Sequence, residues 1–125
     1  MAISKQVKVG GIHYNGYKLV VSSSVGDYVI VMNSTTNGGI NSVVVTPDRY
    51  GAGDSFSLDS IEGTSSTGTV IKNIAATVYN IGAGISIMMD LAALQDIRKE
   101  NSLRLTYSNV ATTAMNVFVV VERIG

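Results

Sequence analysis

The chain is a succession of short blocks rich in Val, Ile and Thr, separated by breaks of Gly, Asn and Ser, and this spacing leaves few folds open to it. The breaks fall at Ser24–Gly26, Thr35–Gly39, Gly51–Gly53, Gly63–Gly68 and Gly82–Gly84. β-Branched side chains suit a pleated surface, and glycine supplies the backbone freedom that tight turns demand. Between the breaks the blocks read as strands at Gln6–Val9, Lys18–Ser23, Tyr28–Asn33, Ser42–Thr46, Ser55–Asp59 and Thr69–Ile74, with a short one at Thr77–Tyr79. Leu103, Leu105 and Tyr107 alternate with Ser102, Arg104 and Thr106, the pattern of a half-buried strand. Ile85, Ile87 and Met89 form another such face. Short strands with turn signals every ~8–12 residues predict an antiparallel β-sandwich, jelly-roll-like in strand number and length.

Two stretches depart from simple alternation. Val117, Val119 and Val121 form an inward face, yet Phe118 and Val120 make the opposite side apolar too. A strand of that kind is either central and covered or lies at an interface. The second stretch, Asp90 to Lys99, predicts a short helix near residues 90–99. Asp90 serves as its cap, Leu91, Leu94 and Ile97 share one face, and Arg98 and Lys99 lie near its C-terminal dipole.

At 125 residues the chain fits one domain, large enough to bury a core without cross-links. The sequence divides into a candidate N-terminal arm, 1–17, and a single β-sandwich domain, 18–125. There is no cysteine, which excludes disulfides and thiolate metal sites. Basic and acidic residues balance at 9 each, without a basic run longer than Arg98-Lys99, so no nucleic acid is expected as partner. Only 14% of residues are charged, against about 25% in ordinary soluble domains, and near-neutral surfaces of this kind associate readily. The first residues lack the apolar stretch of a secretory signal, and the longest apolar runs are too short for a bilayer helix. Synthesis in a cytoplasm without membrane insertion is the expectation.

The sequence carries little that resembles a reaction centre. His13, within Gly-Gly-Ile-His-Tyr-Asn-Gly-Tyr, is the only histidine, and no G-x-S-x-G or H-E-x-x-H pattern accompanies it. Asp54, Asp59 and Glu62 lack calcium-loop spacing, and alternation places Asp59 on the face opposite Asp54, which predicts a solvated strand edge. The fragments Gly51-Ala52-Gly53 and Gly82-Ala83-Gly84 read as tight turns rather than phosphate loops. We therefore expect no enzyme, no cofactor, no metal and no catalytic residue. The aromatic segment around His13 reads as contact surface, because tyrosine combines an apolar body with a polar tip. The expected interface set is Ile3, Val7, Ile12, His13, Tyr14, Tyr17 and Phe118.

In style the chain resembles the capsid decoration, or cement, proteins of tailed bacteriophages. The strand start at Gly53–Leu58, the segment Leu91–Ile97 and the closing pair Leu103–Tyr107 and Met115–Ile124 carry the resemblance. It implies a jelly-roll or related sandwich on the virion surface, a homo-oligomer and most often a trimer, whose partner is the major capsid protein or another virion protein. The implied work is mechanical, bridging coat subunits through many modest contacts. A neck, tail or fibre module and a carbohydrate-binding β-sandwich are the other classes this composition allows.

Overall fold

The structure, a computed structural model, describes residues 5–9, 12–33, 38–79, 87–97 and 100–124, with side chains for 14–33, 39–40, 42–74 and 100–123. The described residues form nine strands: β1 (Lys5–Val9), β2 (Ile12–Val21), β3 (Gly26–Asn33), β4 (Gly38–Pro47), β5 (Ser55–Glu62), β6 (Val70–Tyr79), β7 (Ile87–Ile97), β8 (Asn101–Asn109) and β9 (Met115–Ile124). They build two sheets of order β1-β2-β9-β4-β7 and β3-β8-β5-β6. Every pairing is antiparallel.

The topology is that of a jelly roll. Strands pair from the outside inward, β2 with β9, β3 with β8, β4 with β7 and β5 with β6, as in one long hairpin wrapped upon itself. The wrapping adds the pairs β9–β4 and β8–β5, which fuse the ribbon into two facing sheets. β1 extends the first sheet beyond β2. From Lys5 to Val9 and from Ile12 onward, the segment expected as an arm is thus ladder-bonded within the single chain.

Alternation decides what enters the core. Tyr17, Leu19 and Val21 on β2, Val43 and Val45 on β4, and Met115, Val117, Val119 and Val121 on β9 are buried from one sheet. Ile30 and Met32 on β3, Phe56 and Leu58 on β5, and Leu103, Leu105 and Tyr107 on β8 meet them from the other. The Phe56 and Tyr107 rings lie 5.7 Å apart between centroids, tilted at 47°. Each such side chain contributes about 1.5–3 kcal/mol gross when fully buried.

The segment expected as a helix is a strand. Residues 90–97 belong to β7, which closes the free edge of β4. Helical spacing was a local preference; the unpaired backbone groups along Gly38–Val45 are a stronger demand, and tertiary pairing overrides propensity. The period-two series begun at Ile85, Ile87 and Met89 also continues through Leu91, Ala93 and Ile97. The conflict leaves a mark in the register. Ile40 faces Gln95 and Ser42 faces Asp90, so Leu91–Leu94 stand opposite Asn41 alone. On its other side β4 is also irregular at this point, since Ile40 faces Arg123 and Ser42 faces Glu122, leaving Asn41 as a bulge.

Candidate interaction surfaces

β9 lies inside the first sheet, with β2 on one side and β4 on the other, so its ladder is saturated. Its inward residues are wholly buried, but its outward ones are not: Phe118 is 43% exposed and Val120 39%. Register places Lys18 and Thr46 beside Phe118, and Gly16 and Val44 beside Val120. Val20, 59% exposed, continues the outward row of β2. A glycine opposite Val120 and a half-exposed ring opposite Lys18 leave an apolar centre on the outside of a central strand. Glu122 lies further along the same row and accepts a hydrogen bond from the Ser42 hydroxyl at 3.5 Å.

A second surface is formed at one end of the sandwich, where the β2–β3, β4–β5 and β8–β9 connections meet. Buried polar side chains tie these loops together. Asp54 is completely buried; one carboxylate oxygen accepts the Tyr107 hydroxyl at 2.6 Å and the other accepts the backbone N–H groups of Val110 and Ala111 at 2.8 and 2.9 Å. Asn109, also completely buried, donates through its amide to the carbonyls of Ser22 and Ser24 at 3.0 Å each and accepts from the Thr112 N–H. Tyr28 donates to the Ser24 carbonyl and shares a hydrogen bond with the Ser22 hydroxyl. Asp48 accepts from the backbone and side-chain amides of Asn116 at 2.8 and 3.1 Å.

Two glycines make this packing possible for different reasons. Gly53 adopts a left-handed conformation at φ 80°, as a tight turn requires. Gly51 is needed for close approach, because a Cβ there would overlap the Asp54 carboxylate. The fixed loops carry three large apolar residues in water, Val25 at 68%, Tyr50 at 57% and Val110 at 53% exposure. Val25 and Val110 adjoin the Gly26–Asn109 pair that ends the β3–β8 ladder. A groove of about 280 Å³ runs beside this end between Val20, Asp48, Arg49 and Asn116.

At the opposite end, Asn15, Tyr17 and Arg123 point inward between the sheets and are 2%, 5% and 5% exposed. With Met32, Ile40 and Leu103 they enclose a small cleft, into which the Asn15 side-chain oxygen projects without a hydrogen-bond partner. Burial raises the Tyr17 hydroxyl above its ordinary pKa, and the Arg123 charge offsets part of that rise. Nearby, Arg104 binds Asp59 at 3.0 Å and the Ser66 carbonyl at 2.9 Å, anchoring the β5–β6 turn.

The residues expected at an interface separate. Phe118 is on the exposed outer face, and half-buried Tyr14 occupies the same face of the sheet, opposite Glu122. Tyr17 is corrected to a core residue, since alternation from Tyr14 turns it inward. Val7, Ile12 and His13 hold strand positions, opposite Tyr14, Val9 and Lys8 respectively, but their side chains lie outside the described residues, as does Ile3 altogether. The solvated edge expected for Asp54–Glu62 is also corrected. β5 is an interior strand, Asp54 is buried, and Asp59 is paired. Among the described residues no group of three or more His, Cys, Asp or Glu is placed to hold a metal ion. Sequence reading missed Asp54 and Asn109 as organisers of the loop end. The available signal was an acid wedged between Gly-Ala-Gly and an apolar strand, a position where a side chain commonly ties down a turn.

No family model matches the chain, and no curated protein matches it. Solved structures similar to it include the infectious bursal disease virus Gx strain, with a TM-score of 0.41 and 12% identity over 96% of this chain and 33% of that one. Another is the N-terminal endo-1,4-β-D-xylanase of Clostridium thermocellum, comprising CBM22-1 and GH10 modules complexed with xylohexaose, at 0.39 and 16% over 92% of this chain and 26% of that one. The infectious bursal disease virus Gt strain follows at 0.31 and 10%, over 88% and 39%. This chain spans well under half the length of each. Likeness at this level assigns neither a family nor a role.

Proposed function

We propose that the chain is a non-enzymatic structural subunit of a virus particle, a decoration protein that sits on the capsid surface and bridges coat subunits. The observation that carries this reading is the tied loop end. Loops that held no function would have little reason to be fixed by two completely buried polar side chains while displaying Val25, Tyr50 and Val110 to water. Preordered apolar tips of this kind lose little conformational freedom on docking, so more of the roughly 25 cal/mol per Å² from burial survives as affinity. Repetition over a closed shell multiplies modest contacts by avidity. Jelly rolls serve in capsid and lectin domains alike, so the fold is compatible with the role without specifying it.

The test is sedimentation of the purified chain with intact particles of the virus that encodes it. The wild type should enter the particle band at a fixed ratio to the coat protein, and a Val25→Asp/Val110→Asp double variant should remain at the top of the gradient. Failure of the wild type to co-sediment at saturating concentration would refute the reading; attachment to tails alone, seen by immunogold labelling, would replace decoration by the neck, tail or fibre class. Tyr50, exposed next to Asp48 and Arg49, is the feature that favours carbohydrate binding instead. Saturable glycan binding abolished by Tyr50→Ala would establish that alternative.

A further inference from the structure

We infer that two copies of this chain stack outer face to outer face about a twofold axis that passes beside Val120. The face concerned is that of the first sheet, distinct from the loop end, so the pairing stands or falls separately from docking on a shell.

Backbone pairing cannot cover this face, because β9 already has a strand on each side. Only stacking by another layer can do so, and sheets stack about 10 Å apart with interdigitated side chains. The size is adequate. Four strands of ten or eleven residues and the five-residue β1, about 4.8 Å apart and at ~3.4 Å per residue, present about 750 Å² of face. That is close to what each partner contributes to a standard interface. Its anatomy also fits, with Phe118, Val120 and Val44 in the middle and Lys18 and Glu122 outside them.

The choice of a second copy rests on charge complementarity. Lys18 lies beside Phe118 on the neighbouring strand, and Glu122 lies four positions along β9. Strand geometry puts their Cα atoms about 14 Å apart, too far to pair within one copy, with Val120 near the midpoint. A twofold axis in the plane of contact through that midpoint exchanges the two positions. It brings Lys18 of each copy against Glu122 of the other, sets Val120 against its equivalent, and carries Phe118 toward Val44. The line from Lys18 to Glu122 is inclined about 19° to the strands, so strands of the two copies cross at roughly 40°, near the ~30° of aligned sheet packing. One self-complementary patch generates a closed pair, whereas a threefold ring needs two different patches that fit each other. The outer face supplies the former, which favours a dimer over the trimer implied by the resemblance.

Sedimentation velocity on the purified full chain tests this. The wild type should run at twice 13.1 kDa. Lys18→Glu and Glu122→Lys, each alone, place like charges together at both contacts and should weaken dimerisation by about tenfold or more. Mixing the two variants restores opposite charges at both contacts, so heterodimers should reappear at near wild-type affinity. Phe118→Asp, with unchanged circular dichroism, should be monomeric. A wild-type monomer at ~100 μM, far above the dissociation constants of specific dimers, or a stable trimer, would overturn the inference. So would failure of the mixed variants to pair.

Discussion

Replacing Tyr107 by phenylalanine removes the hydrogen bond at the centre of the loop end, together with the same hydroxyl's weaker contact to the Met115 sulfur at 3.4 Å. The hydroxyl donates to Asp54 at 2.6 Å, and both residues are completely buried. The substitution keeps the ring that packs on Phe56 and removes one oxygen. Asp54 retains its two backbone donors, Val110 and Ala111, but one carboxylate oxygen loses the tyrosine donor. A hydrogen bond to a carboxylate contributes about 1.5–3 kcal/mol, so the expected loss is about 2 kcal/mol. For a chain of this length the unfolding entropy of ~2.1 cal/mol/K per residue converts this to a fall in Tm of about 8 °C. Urea unfolding followed by far-ultraviolet circular dichroism suits a chain without tryptophan. The midpoint should drop while the slope m stays constant, as expected when native contacts alone change. A double-mutant cycle with Asp54→Asn should give a coupling of about 1 kcal/mol or more. A Tyr107→Phe protein within ~0.5 kcal/mol of wild type, the range of ordinary surface changes, would refute the view that this bond holds the loops.

Gly51→Ala should cost more, about 3 kcal/mol, because its Cβ displaces the carboxylate that all three donors use; thermal melts would reveal it. Asn15→Leu should stabilise the protein by about 1 kcal/mol, since it replaces a buried oxygen without a partner by apolar volume; a loss in the same urea assay would disprove the assignment. Arg104→Ala should cost ~1–2 kcal/mol and speed proteolysis within 63–68, which that side chain pins to β8. For Tyr17 the folded state holds the phenol proton more tightly than the unfolded chain. Its contribution to stability is therefore complete below the ordinary pKa of 10.0 and is lost as pH rises through the folded value. Tyr17→Phe should reduce the alkaline loss of stability, and ultraviolet titration should lose one late-ionising tyrosine.

Strand count and phasing were legible because alternation and glycine breaks are local signals. Leu103–Tyr107 and the two-sided stretch Val117–Val121 could be assigned to faces without knowing what covered them. Sequence could not choose between covered and interfacial for Phe118, because β9 turned out central in its sheet yet uncovered outside, an arrangement fixed by partners about 100 residues away. The same distance hid Asp54: its hydroxyl donor is 53 residues along the chain. The mistaken helix has the opposite origin. Leu91, Leu94 and Ile97 satisfy a helical period, and nothing local announces that β4 needs a strand on its free side. Tyr17 was misplaced because its neighbours Gly16 and Asn15 resemble a loop, while the ladder to β9 runs unbroken through them.

The outside-in pairing also dictates an order of assembly. Among the four pairs of the rolled ribbon, the β5–β6 hairpin spans the shortest stretch of chain and has the least loop entropy to overcome. Each later pair, β4–β7, β3–β8 and then β2–β9, encloses everything formed before it. During synthesis β2 leaves the ribosome about 100 residues before its partner β9. Until β9 follows, the apolar row Tyr17, Leu19, Val21 lacks that neighbouring strand. Folding should therefore be slow and late, in the millisecond-to-second range of non-local β topologies, and the newly made chain should depend on holdase chaperones until β9 is released.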